Sequence, residues 1–244
     1  MSIHDNYRKS ILQGDRDVYM SVHLEDMKCV ARKIRKSIQF NDIKNVIDIG
    51  CGPGVLIKQL KKNNNSIEYY GIDISKDQIN EARKVCKGVN FFNIDGFSYL
   101  KKMKDNSIDL ITMIDVAEHL DLNDLISTFS ECERVLSKNG VIFIRVPNAT
   151  AINNPILYGD LTHKRAFTIQ SLNQLANFSN LSINLFDGVY FENKRIIGFV
   201  RELIMYIFYY PFLKLFYRLV YGNKIGGHYS TNAYCIFKKI SKTR

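Results

Sequence analysis

Short apolar runs alternate with stretches of helical spacing along most of this chain. Val46-Ile47-Asp48-Ile49 runs into Gly50, Gly52 and Gly54, and Ile67–Ile74 follows after a polar loop. Val89–Ile94 ends in Asp95-Gly96, Ile108–Ile114 in Asp115, and Val141–Val146 in Pro147-Asn148. Ile183–Phe191 and Asn232–Phe237 complete the set. Apolar runs of this length, bounded by glycine, proline or an acid, predict buried strands. Between them the spacing changes. Val55-Leu56-Ile57 opens a helix straight after the glycine turn, and Ser75 with Gln78 three residues on predicts a helix cap. Asp121-Leu122 begins a helix carrying Leu125, Ile126, Phe129, Cys132, Val135 and Leu136, and Thr168 caps another with Leu172, Leu175 and Phe178 on one face. Ahead of the first strand, Val22, Leu24, Met27, Val30, Ala31 and Ile34 recur at helical spacing with Lys28, Arg32, Lys33, Arg35 and Lys36 between them, a basic amphipathic helix. The strand, glycine turn and helix that begin at Val46 are the opening of a βαβ unit, which predicts an α/β fold.

The glycine turn narrows what the unit binds. A dinucleotide fingerprint requires G-x-G-x-x-G, but here the spacing is G-x-G-x-G, Val55 stands where the last glycine would be, and Pro53 removes an amide. A P-loop would end in Gly-Lys-Ser/Thr, which is missing. The turn thus lacks phosphate-cradling equipment, and Asp48 just before it suits a cation better than an anion. Asp73 ends the second run about 20 residues further on, where an acid accepts hydrogen bonds from ribose hydroxyls.

The stretch from Val46 to Gly54 resembles motif I of the class I S-adenosylmethionine-dependent methyltransferases, whose cofactor carries a sulfonium and an ammonium but no phosphate. Asp115-Val116-Ala117-Glu118-His119-Leu120 resembles the D-x-x-E-H-L segment that follows strand four in many small-molecule methyltransferases. Tyr158-Gly159-Asp160-Leu161-Thr162-His163, running on to Phe167-Thr168, resembles a loop of methyltransferases encoded with bacterial surface-polysaccharide biosynthesis. The resemblance implies a Rossmann-like, seven-stranded, mostly parallel sheet with an antiparallel last strand and helices on both faces. It implies one domain over residues 1–244, with an N-terminal helical cap (1–40), a substrate loop (149–168) and an aromatic helical insertion between strands six and seven (200–222). It implies that Asp48, Gly50, Cys51, Gly52 and Gly54 hold the methionine part of S-adenosylmethionine, and that Asp73 and Ile74 hold the ribose. Asp95 and Gly96 then flank the adenine, and Asp115 and Val116 line the sulfonium. The product is S-adenosylhomocysteine. Glu118, Tyr158 and Asp160 are candidate acceptor-binding groups. His119 and His163 are candidate general bases, since imidazole titrates near working pH.

Composition adds less. The net charge of +10 is compatible with an anionic partner, but lysines are spread through the chain, so it reads first as surface bias. The (Asn/Asp)-Pro-Pro-aromatic run of nucleobase amino-methylating enzymes is missing after Ile114, which argues against a nucleic-acid substrate. Five scattered cysteines without a C-x-x-C pair argue against a disulfide framework and for a reducing cytoplasm. The polar start is no signal peptide, and no apolar run approaches the ~20 residues of a membrane span. No metal-ligand spacing is visible, so no metal is expected. Arg201–Tyr221 is rich in aromatics with Arg201, Lys214 and Arg218 among them. It suits a peripheral contact on the inner membrane face, a homodimer contact or a roof over the substrate, with burial against protein slightly favoured. The expected function is O-methylation of a sugar or phosphorylated polar acceptor in surface-glycan biosynthesis. The alternative is methylation of a quinone or lipid-like molecule at a membrane surface, and a binding module without turnover is the remaining class.

Overall fold

The computed structural model describes residues 16–62, 66–152, 154–189, 200, 203–222 and 228–240. The first part of the expected cap, the end of the sixth apolar run, Arg201 and the tip of the basic tail lie outside the described residues. Seven strands form one sheet: β1 (Asn45–Ile49), β2 (Glu68–Asp73), β3 (Asn90–Asn93), β4 (Ile108–Ile114), β5 (Leu136–Pro147), β6 (Leu181–Gly188) and β7 (Asn232–Lys239). Their order is β3-β2-β1-β4-β5-β7-β6, parallel throughout except that β7 runs antiparallel to both β5 and β6. The fold expected from the sequence is therefore the fold observed.

Alternation along the strands builds two cores. Ile47 and Ile49 face one side of the sheet and Val46 the other, and in β5 Ile142 and Ile144 oppose Val141 and Phe143. On the first face lie α4 (Gly96–Leu100), α5 (Leu122–Val135) and α7 (Ile169–Phe178), contributing Leu100, Phe129, Leu172 and Leu175. On the second lie α1 (Arg16–Ser37), α2 (Val55–Lys61) and α3 (Lys76–Val85), contributing Val30, Ile34, Leu60 and Ile79. Burying strands on both faces explains why they read as near-continuous apolar runs. The caps match their sequence signatures. Ser75 Oγ accepts from Gln78 N, and Thr168 and Ser171 form a reciprocal capping box.

One boundary differs from the pattern. β5 begins at Leu136, five residues before the apolar run, because Leu136 pairs with Ile108 and Val141 with Leu110, and polar Ser137-Lys138-Asn139-Gly140 form the irregularity between the two pairs. A Cβ at Gly140 would stand 2.8 Å from the Ile108 carbonyl oxygen, so the close approach needs glycine there. After β5, the loop to Thr168 has its ends fastened together: Phe167 N donates to Pro147 O and Ala149 N to Phe167 O. It contains a short helix, α6 (Pro155–Tyr158). The insertion after β6 contains a π-helical turn (Met205–Tyr209) that runs without a break into α8 (Tyr210–Tyr221), and Pro211 just past the join has no amide to donate into the preceding turn. Leu213 is buried and Tyr217 Oη donates to Thr150 O, while Tyr206, Phe208, Phe212, Leu215, Phe216 and Leu219 are exposed. These exposed side chains are not covered by the described residues of this chain. No helix among the described residues is long and apolar enough to cross a membrane.

Candidate active site

In an open α/β sheet the ligand crevice lies beyond the carboxyl ends of the strands, where the strand order reverses. Here the reversal falls between β1 and β4. The glycine turn follows β1. Gly50, Gly52 and Gly54 all have positive φ (71°, 51° and 72°). Their surroundings differ. A Cβ on Gly50 would stand 2.3 Å from Val116 Cγ2, and one on Gly54 3.0 Å from the Phe91 ring, so these two permit packing. A Cβ on Gly52 would meet nothing within 4 Å, so this glycine borders open space. Gly52 N donates to Asp73 Oδ2 (2.9 Å) and Ser75 N to Asp73 Oδ1 (2.8 Å), which fixes the carboxylate at the end of β2. Ile74 beside it is exposed. Asp95 caps α4 by accepting from Ser98 N (2.8 Å). Burial acts to raise its pKa, but the hydrogen bonds from Ser98 prevail and hold it below the ordinary value. Gly96 packs on Ile49.

Asp48 is only 2% exposed, and Thr112 Oγ1 donates to its Oδ1 at 2.6 Å across the β1–β4 pair. Burial pushes its pKa up to about 7, against the Thr112 hydrogen bond, with Asp73 adding to the rise. Burial, helped by Asp48 and Asp73, also raises the Cys51 thiol, which stays protonated. The folded chain therefore keeps the Asp48 proton to about pH 7, whereas the unfolded chain releases it near pH 4. In that interval the folded state binds more protons, so this group's contribution to stability falls as pH rises through it. Asp48→Asn should leave the melting temperature nearly unchanged at pH 4 and raise it at pH 8, by on the order of 2–4 kcal/mol of stability without cofactor. Calorimetry at the two pH values checks this, and an equal difference at both would refute it.

Asp115 directly follows β4 with φ 55° and is gripped by a residue that motif reading passes over. Arg145 of β5 points to the α1 side of the sheet, by the alternation that puts Val141 and Phe143 there. Its Nε donates to Asp115 Oδ1 (2.9 Å), a second bond joins Nη2 to Asp115 Oδ2, and Nη1 and Nη2 bond both Asp26 oxygens of α1 (2.7 and 2.9 Å). The acids hold its pKa well above the ordinary value although burial acts the other way. His23, one turn before Asp26 on α1, adds another group missed in the sequence. Burial keeps its pKa below the ordinary value, outweighing the attraction of Asp26. An arginine inside an apolar run was the available signal for the clamp. Nothing in the sequence linked it to Asp26.

The turn after β4, a 3-10 helix over Ala117–His119, meets the loop after β5. Lys164 N donates to Glu118 O (2.8 Å), and His119 Nδ1 lies 2.9 Å from Thr162 Oγ1. Thr162 Oγ1 donates to Asp160 Oδ1 (2.7 Å), so it receives the His119 Nδ1 proton, and the remaining lone pair is on Nε2. The His119 and His163 rings meet edge-on with centroids 4.7 Å apart. Burial, reinforced by His163, lowers the pKa of His119. Glu118 is 0% exposed, and both its carboxyl oxygens lack a hydrogen-bond partner. Burial first, and the charge of Asp115 second, push its pKa up to about 8. The structure thus brings together Glu118, His119, Asp160 and His163. Tyr158 stands apart, 80% exposed to solvent, and so does not line this cluster.

Comparison with known proteins agrees with this layout. Residues 47–144 match the family profile described as a methyltransferase domain. A methyltransferase from Archaeoglobus fulgidus described as SAM-dependent superposes with a TM-score of 0.64 over 92% of this chain and all of its own, at 23% identity. Residues 47–144 thus resemble a methyltransferase domain, on a fold shared with a SAM-dependent methyltransferase. Among curated relatives, a ubiquinone biosynthesis O-methyltransferase of Pelagibacter ubique is 34% identical over 48% of this chain and 48% of its own length. A phosphoethanolamine N-methyltransferase of Plasmodium falciparum is 27% identical over 62% of this chain and 59% of its own. The chain spans about half the length of the first curated relatives it matches. The glycine turn has residues that would fit S-adenosylmethionine. The space over Gly52 is open, and Asp48 and Asp73 place acidic groups around a turn that would meet a sulfonium and an ammonium.

Proposed function

We propose that this protein methylates an oxygen of an apolar, quinone-like or lipid-like acceptor presented at a membrane surface. The observation that carries this reading is the exposed face of the insertion, where Phe208, Phe212, Leu215, Phe216 and Leu219 share a surface with Lys214 and Arg218. An aromatic helix with basic side chains suits an anionic lipid interface, and burying exposed apolar area supplies the affinity. Tyr217 and Leu213 fasten that face beside the loop after β5, through Thr150. The names of several curated relatives point the same way. A polar sugar acceptor is the second reading, supported by the Asp160-Leu161-Thr162-His163 segment folding over the end of β4.

Methyl transfer from a sulfonium is an in-line displacement, so the domain must chiefly position the acceptor and manage its proton. We assign the methionine part of the cofactor to Asp48 and the Gly50–Gly54 turn, the ribose to Asp73 and Ile74, and the adenine surroundings to Asp95 and Gly96. Asp115 and Val116 border the sulfonium. The acceptor oxygen is assigned to the cluster of Glu118, His119, Asp160 and His163. His163→Ala should lower turnover at least tenfold with S-adenosylhomocysteine affinity unchanged. Wild-type turnover would remove it from the chemistry. The acceptor class is tested by S-adenosylhomocysteine release with two pools, soluble phosphorylated and nucleotide-linked sugars against a detergent-solubilised lipid extract. Turnover with the lipid pool supports the first reading. Turnover with the soluble pool alone replaces it with the second.

A further inference from the structure

We propose that Glu118, His119 and His163 form a binding site for one divalent cation of the zinc class. One donor atom from each of these three residues lies within 4.8 Å of the other two. His163 Nε2 stands 3.8 Å from Glu118 Oε1 and 3.8 Å from Asp160 Oδ2. That distance is beyond hydrogen-bond reach, and it is within the span of two ~2.1 Å bonds to a shared ion. Donors on tetrahedral bonds of ~2.1 Å stand about 3.4 Å apart, so a pair at the 4.8 Å limit closes by about 1.4 Å when the ion binds.

Three further features point to a ligand set and not to ordinary packing. Glu118 is fully buried with both oxygens unpartnered, and a buried carboxyl left without a partner is costly. His163 Nδ1 is also buried without a hydrogen bond. His119 is already oriented as a metal ligand is: Nδ1–H bonds to Thr162 Oγ1, Thr162 bonds onward to Asp160, and Nε2 keeps its lone pair. Such an outer hydrogen bond fixes the tautomer and raises the basicity of the ligating nitrogen. The site is also built before any ion arrives, since Lys164 N on Glu118 O and His163 N on Asp160 O hold the loop against the turn.

Two imidazoles and one carboxylate select a borderline cation over magnesium or calcium, which prefer oxygen donors. Three protein ligands leave at least one position open, the arrangement of catalytic rather than structural sites. The ligand for that position is an acceptor hydroxyl. On binding, the hydroxyl gives its proton to bulk water. Its oxygen then forms the bond to the methyl carbon as the carbon–sulfur bond breaks, and sulfur keeps the electron pair. With an ion bound, His119 Nε2 is occupied, so the charge of the ion replaces a histidine base. This last step rests on the methyltransferase reading, whereas binding of the ion does not.

The test is therefore read on binding. Untagged full-length protein is stripped with chelator, exchanged into Co2+ or Zn2+, and freed of loose metal by gel filtration. Wild type should retain about one ion per chain by elemental analysis, with Co2+ giving visible absorption bands. Glu118→Gln and His163→Ala should each weaken retention at least 100-fold, and Thr162→Val about tenfold through the lost outer bond. S-adenosylhomocysteine affinity, measured on the same samples, reports that each variant is folded. Wild type that retains no ion overturns the proposal. So do folded Glu118→Gln and His163→Ala variants that retain it as tightly as wild type. Retention without turnover on either acceptor pool would fault the acceptor reading and leave the metal site standing.

Discussion

Asp73→Ala should lower S-adenosylhomocysteine affinity by 100-fold or more. Two hydrogen bonds from ribose hydroxyls to a charged carboxylate contribute about 1.5–3 kcal/mol each, and every 1.4 kcal/mol is tenfold in affinity. The carboxylate is held ready for them, because Gly52 N and Ser75 N each donate to one of its oxygens. The substitution removes the acceptor and also releases the glycine turn, so both terms act in the same direction. Asp73→Asn separates them, since the amide oxygen keeps one backbone bond while the charge is lost. Its affinity should fall between wild type and alanine. Isothermal titration of all three measures this, and an alanine variant within threefold of wild type would sink the ribose assignment.

Arg145→Met should be the most destabilising single change near the site. Arg145 is 5% exposed, and its guanidinium carries four hydrogen bonds to two carboxylates. Removing one partner from a buried ion network typically costs 3–5 kcal/mol, because the charges left behind lose their compensation. Here the Asp26 and Asp115 side chains are each 40% exposed, so water screens part of that loss and about 2–4 kcal/mol is expected. For a chain of this size that corresponds to a melting temperature lower by roughly 5–15 °C. Asp115 sits at a positive φ and also donates its amide to Arg145 O (3.1 Å), so the end of β4 should loosen with it. Cofactor affinity should fall in the same variant, as α1 loses its tie to the sheet. Asp26→Asn keeps the Arg145–Asp115 pair and should lose about 1 kcal/mol or less. A melting temperature for Arg145→Met within 2 °C of wild type would show that the clamp adds nothing.

Much of this architecture is local in origin. Apolar runs stop where glycine or an acid follows, and each such stop became a strand end on the ligand edge. Asp73, Asp95 and Asp115 were legible because each terminates its run. The helix caps at Ser75 and Thr168 involve neighbours three residues apart, a distance at which sequence and space coincide. Polar Ser137-Lys138-Asn139-Gly140 was illegible as strand because it lies in the register shift between the Leu136–Ile108 and Val141–Leu110 pairs, which only the partner strand defines.

The candidate cluster lies at the other extreme. His119 and His163 were each visible as titratable residues in suggestive segments. Their contact, with Thr162 and Asp160 orienting one ring and Glu118 buried between the segments, depends on a loop about 40 residues later folding back over the end of β4. Arg145 and Asp26 lie 119 residues apart, and only the packing of α1 on β5 joins them. The exposure of the aromatic insertion was likewise undecided, since an all-apolar face reads the same whether protein or solvent covers it. By itself the sequence determined the order of strands and helices, the class of cofactor and the acid that meets each strand end, because periodicity, caps and turns act over a few residues. The tertiary structure decided which charges neutralise one another, which histidine has its tautomer held, and where a buried carboxyl lacks a partner. Those properties belong to pairs of groups brought together by packing, and no stretch of chain carries them alone.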